Sequence, residues 1–131
     1  IYSFYIDDLH FNLAVQLLND KYGIQVRGGC SCAGTYGHIL LDVAKKQSCE
    51  ITSKIDQGDL TLKPGWVRMS IHPTMTNDEV DFIMKAIKEL SENHKNWSSD
   101  YNYNNKTNEF VYNDITFSLK NKQRAESWFH L

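Results

Sequence analysis

The chain has only two prolines and three cysteines in 131 residues, no excess of one charge sign and no long apolar run. Each scarcity excludes something. Three cysteines, an odd number with two of them one residue apart, do not make a disulfide framework. Reduced thiols, as in the cytoplasm, are the simpler expectation. Fourteen Lys and Arg stand against sixteen Asp and Glu, a formal charge of −2, which gives no electrostatic footprint for DNA or RNA. No apolar stretch approaches the roughly 20 residues of a membrane span. Ile1-Tyr2-Ser3 lacks the basic leader of a signal peptide. There is no internal repeat and no linker-like stretch that would divide the chain. The first residue is not Met and the opening residues read as a strand, so a piece of a longer protein, or a processed one, is expected.

What is present is 41% hydrophobic and 23% charged, enough in 131 residues for one globular domain with a real core. Residues 1–6 read as a strand. Asp7 and Asp8 are the expected N-caps of a helix over 9–22, where Phe11, Ala14, Val15, Leu18 and Tyr22 fall at helical spacing. Gly23 is placed to stop it. A short strand is expected at 24–27 and a helix at 39–46, with more helix after Ser48 and a turn at Gln57-Gly58-Asp59. Pro64-Gly65 is a turn signal, and 66–71 alternates as a strand with Arg68 and Ser70 on one face. Thr76-Asn77-Asp78-Glu79 is a capping box that opens a helix running to about His94. Beyond Trp97 the Asn- and Tyr-rich stretch 100–108 reads as loop. Residues 110–112 and 115–119 would pair as a hairpin around Asn113-Asp114, and 120–131 would be a terminal helix or loose tail. The order predicts an α+β fold, an α/β sandwich in which helices cover a small sheet and the two long helices share one face.

Chemistry concentrates in 25–38, which holds Arg27, Gly28, Gly29, Cys30, Cys32, Gly34, Gly37 and His38. Glycines let backbone pass where a side chain would clash, and a thiol beside positive charge gains thiolate character. We read this as an active-site loop with Cys30 or Cys32 as nucleophile, and Arg27 or His38 able to lower a thiol pKa. Cys49, in a helical stretch, is expected to be structural. Arginine binds a carboxylate or phosphate through a bidentate fork that lysine cannot reproduce. Arg27 and Arg68 near a thiol loop therefore point to an anion site. No Lys-Ser/Thr follows Gly28-Gly29, which excludes a P-loop. His72, in a strand-to-helix turn, is expected to be structural, and Trp97, Tyr101 and Tyr103 to pack the tail on the domain. Zinc spacings need a second ligand pair beyond Cys30, Cys32 and His38. Cys49 and His72 supply no such pattern, so no metal is expected.

Gly23-Ile24-Gln25-Val26-Arg27-Gly28-Gly29-Cys30-Ser31-Cys32, then Gly65-Trp66-Val67-Arg68-Met69-Ser70, then Thr76-Asn77-Asp78-Glu79-Val80-Asp81 together resemble the C-terminal domain of class V aminotransferases. These are fold type I pyridoxal-phosphate enzymes that include the cysteine desulfurases and selenocysteine lyases. The resemblance covers about residues 1–95. It implies a small domain over 1–97, with 98–131 an extension that packs on it or is partly disordered. In the desulfurase branch the reactive cysteine lies five positions after a strand-ending Val-Arg, which here selects Cys32 over Cys30. Arg68 matches the arginine that binds the substrate carboxylate, with Arg27 beside it in the substrate site. The implied mechanism is attack of the Cys32 thiolate on the sulfur of a cysteine–cofactor adduct, leaving a persulfide and alanine. Ser31 stands where that branch commonly has histidine, so an aminotransferase or another lyase of the class stays open. The resemblance places the cofactor lysine in a large domain before this segment, so the chain alone would be catalytically incomplete. It also implies a homodimer for the full-length protein. Two other classes are carried: a thiol or metal module built on Cys30, Cys32 and His38, and an interaction domain with an anion-binding loop.

Overall fold

In the computed structural model, which describes residues 1–30, 34–114, 123, 126 and 127, the chain runs β1 (Tyr2–Phe4), α1 (Phe11–Tyr22), β2 (Arg27–Gly29), α2 (Gly34–Leu40), α3 (Lys45–Asp56), β3 (Trp66–Met69), α4 (Asn77–Trp97), β4 (Tyr101–Asn104) and β5 (Glu109–Tyr112). The fold is α+β. Its main sheet is antiparallel in the order β1-β3-β2, and β4 and β5 form a separate hairpin.

The first helix sits at the centre. Phe11, Leu13, Ala14, Leu17 and Leu18 of α1 are buried and join Val67 of β3, Ala86 and Leu90 of α4, and Tyr101 of β4 in one core. Gly23 ends α1 in the left-handed region at φ 68°, where a glycine pays no steric penalty, and its N–H bonds back to the Asn19 carbonyl at 2.9 Å. At α4 the Thr76–Glu79 capping box is present in both directions, and the helix runs on to Trp97. Tyr22 ties the two long helices together by donating to Glu89 Oε2 at 2.7 Å, and Lys21 lies over the Trp97 ring.

The sheet meets α1 through glycines. A Cβ on Gly28 would lie 2.9–3.0 Å from the Phe11, Asn12 and Val15 side chains. One on Gly65 would lie 2.7 Å from the Phe11 ring and 2.9 Å from the Gly29 Cα. This corrects two sequence expectations. The strand expected at 24–27 begins instead at Arg27 and extends through the glycines to Gly29. Those glycines are packing residues under α1 rather than hinges of a loop. The helix expected at 39–46 is two helices, α2 and α3, broken around Asp42, whose φ is 51°. The turn at Gln57-Gly58 follows α3 as expected.

The hairpin is also re-paired. Residues 110–112 pair with β4 (Tyr101↔Tyr112, Tyr103↔Phe110), so the stretch read as loop supplies a strand. Residues 115–119, expected as its partner, lie outside the described residues, as does most of 120–131. The hairpin docks on α1: the Tyr101 hydroxyl donates to Asp20 at 2.9 Å, and the Asn12 amide donates to the Asn108 carbonyl.

His10, rather than Asp7 or Asp8, caps α1: its Nδ1 accepts from the Asn12 backbone N–H at 3.1 Å. Nδ1 as acceptor puts the proton on Nε2, which is buried without a partner among the described residues. The ring lies against Phe11, Tyr103 and Phe110, with centroids 4.5, 5.5 and 5.3 Å away. Burial among these rings lowers the His10 pKa below its ordinary 6.5. The unfolded chain therefore takes this proton first. Stability is full above about pH 6.5, declines as pH falls below it, and the loss levels off below the depressed folded value. We expect the urea midpoint to fall between pH 7 and pH 5, and the fall to be smaller in His10→Asn, which keeps a capping oxygen. Equal falls in both proteins would remove His10 from the pH dependence.

Candidate functional site

Strand alternation divides the chemistry between two faces. Gly28 and its partner Val67 face α1, so their neighbours Arg27 and Arg68 point to the other face. The register pairs Arg27 directly with Arg68, and Ser3 of β1 flanks Arg68 on the far side. Two guanidinium groups thus stand opposite each other across one sheet face. Like charges in that position destabilise a sheet, on the scale of about 0.2–1 kcal/mol for a cross-strand pair. The ion pairs among the described residues are Lys54–Glu50, Lys85–Glu89 and Lys95–Asp8, and none of them uses an arginine. The arginines line an open recess of about 340 Å³ with Gln25, Val26 and Ser70. Among the described residues no carboxylate lines it. Such an arrangement can bind an anion.

The pair was legible only as two separate arginines, since no pattern in the sequence says that they face each other. Of the other lining residues, Ser70 carries a sequence signal, the strand alternation that puts it on the Arg68 face, whereas Gln25 has only its place two residues before Arg27.

Two strand pairs further along, Trp66, opposite Gly29, continues the arginine side, about 7 Å away at the usual strand rise. Helix α2 covers this end: a Cβ on Gly37 would lie 3.3 Å from both the Trp66 ring and Cys30 Sγ. Tyr36, Ile39 and Leu40 of the same helix are 55–70% exposed. Tyr5, which continues the alternation of β1 past Ser3, is 64% exposed.

The cysteines separate. Cys30 is half-buried, and its thiol donates to the Pro64 carbonyl at 2.7 Å. Burial raises its pKa, and the nearby Lys63 ammonium opposes this only in part. It opens on a second cavity of about 750 Å³ between α1 and the hairpin, away from the arginine recess. Cys30 is therefore a protonated, hydrogen-bonded thiol and not an activated one. Cys49 is exposed on α3, not the small buried hydrophobe that its helical stretch predicts. Cys32 lies outside the described residues; its described neighbours Cys30 and Gly34 follow β2 and open α2.

The histidines are engaged locally. His38 Nδ1 lies 2.5 Å from Ser48 Oγ, tying α2 to α3. His72 Nδ1 accepts from the Thr74 N–H at 3.3 Å and meets its hydroxyl at 2.7 Å. Among the described residues no group of three His, Cys, Asp or Glu side chains is placed to hold a metal ion, and no helix is long and apolar enough to cross a membrane. Comparison with protein-family models, with curated proteins and with solved structures finds no match to this chain.

The difference between the thiols is measurable. At pH 7.5 iodoacetamide should label Cys30 about ten-fold more slowly than Cys49, because a raised pKa and a carbonyl acceptor both lower the thiolate fraction. Peptide mass spectrometry over time reads the two rates. Equal rates would contradict the assignment of Cys30 as a held thiol.

Proposed function

We propose that this chain is the C-terminal small domain of a class V aminotransferase-like, pyridoxal-phosphate-dependent enzyme of the cysteine desulfurase or selenocysteine lyase type. The observation that carries the reading is the placement of Arg27 and Arg68 opposite each other on a sheet face that the described residues leave open. The fork of Arg68 accepts the substrate carboxylate in two parallel hydrogen bonds, and Arg27 adds a second fork beside it. Cys32 takes the substrate sulfur as a persulfide. The held state of Cys30 supports that choice, since it leaves Cys30 the weaker nucleophile.

The recess has no lysine among its lining residues. Its residues fit a substrate's acid end and do not fit the cofactor, whose lysine by this reading belongs to a large domain outside the chain. Pyridoxal phosphate, when bound there, supplies the electron sink for the bond cleavage. The exposed apolar side chains of α2, and Tyr5 just past β1, support the same reading, as surface that the large domain would cover. The full-length protein is then a homodimer of the cytoplasm, a setting that suits three thiols outside any disulfide framework. A second reading, an aminotransferase or another lyase of the same class without persulfide chemistry, is favoured by the second guanidinium beside Arg68.

The test uses the parent protein and its Cys32→Ala variant, supplied with cysteine. A parent with the absorbance near ~420 nm of lysine-bound pyridoxal phosphate, whose release of alanine and sulfide is lost in the variant, is the expected result. A yellow protein without sulfide release, indifferent to Cys32, would move the reading to the aminotransferase or other lyase. A colourless parent unable to bind the cofactor would overturn it.

A further inference from the structure

A single carboxylate has two oxygens, and one arginine fork satisfies both. Binding one carboxylate at Arg68 would leave Arg27 facing it as an uncompensated cation. Among the described residues nothing else in the recess compensates: the others lining it are Gln25, Val26 and Ser70. Directly opposite residues of antiparallel strands hold their Cα atoms about 4.5–5.5 Å apart. The two acid carbons of a four-carbon diacid, three bonds apart, span roughly 4 Å. A ligand with two acid groups at that spacing can therefore meet both forks at once.

We propose that Arg27 and Arg68 together read a doubly anionic ligand, an amino acid whose side chain carries a second acid group, rather than the lone carboxylate of a neutral amino acid. Arg68 holds one acid group and Arg27 the other. For the ligand's being an amino acid, this rests on the second reading above, an aminotransferase or other lyase of the class without persulfide chemistry; the charge count rests on the strand register alone. It makes Arg27 the residue that sets specificity. A neutral amino acid binds through Arg68 and gains nothing from its neighbour.

Calorimetric titration of this chain at fixed ionic strength tests it, using succinate, propionate and inorganic phosphate as probes. Succinate is expected to bind about ten-fold more tightly than propionate, as a second charge-assisted fork would give. Arg27→Gln should abolish that preference, weakening succinate about ten-fold more than propionate. Arg68→Gln should weaken both. Circular dichroism checks that the variants fold, and the wild-type ratio decides even if they do not. Equal affinity of the wild type for succinate and propionate would overturn the proposal. So would phosphate binding more tightly than succinate, which would make the pair a phosphate site. No cofactor enters this titration, so a failure here leaves the enzyme assay of the parent protein standing, and the reverse also holds.

Discussion

The ring of Phe11 lies where Gly28, Gly29 and Gly65 come together, and the rest of the fold is arranged around that contact. Close approach of α1 to the sheet requires that Gly28 and Gly65 carry no Cβ, since either would come within 3 Å of α1 side chains. With α1 seated, its opposite faces receive α4 and the β4–β5 hairpin, and the core closes on Leu17, Leu18, Leu90 and Val67. A close-packed interior leaves little room for a side chain at such a contact. Gly28 is exposed and Gly65 half-buried, so these glycines lie at the edge of the core, where α1 meets the sheet.

The same contact determines the outer surface. Because strand side chains alternate, turning Gly28 and Val67 toward α1 turns Arg27 and Arg68 away from it, and the register places them opposite each other. The cost of that arrangement is like-charge repulsion, which an arriving anion removes. A structural ion pair would have carried its own carboxylate, and no described side chain supplies one. The sheet thus separates two environments. On one side lies α1. On the other lies a pair of cations that the described residues leave open, and α2 closes the end of the sheet against Trp66 and the Cys30 thiol.

Local signals were readable before the fold. The capping box at Thr76, the stop at Gly23, the apolar spacing of α1 and the strand around Arg68 all depend on neighbours in the sequence, and the structure has each of them. What was lost depends on distant partners. Cα–Cα pairing placed β2 three residues later than its apolar residues suggested, because Gly28 and Gly29 read as loop when α1 is out of view. Residues 101–104 read as loop from their asparagines, yet their tyrosines pair with 109–112 and pack on α1. His10 caps α1 although aspartate, present at 7 and 8, is the commoner capping type. Of the site, Arg27 and Arg68 were legible as residues; their adjacency was not. The held state of Cys30 depends on the Pro64 carbonyl, 34 positions away.

The central claim is the register that sets Arg27 opposite Arg68. Nuclear Overhauser contacts in the isotope-labelled chain measure it directly. The account predicts cross-strand contacts from Arg27 to Arg68, from Gly28 to Val67 and from Ser3 to Arg68. A one-residue slip, with Arg27 facing Val67 or Met69, would put the two arginines on opposite faces and contradict it.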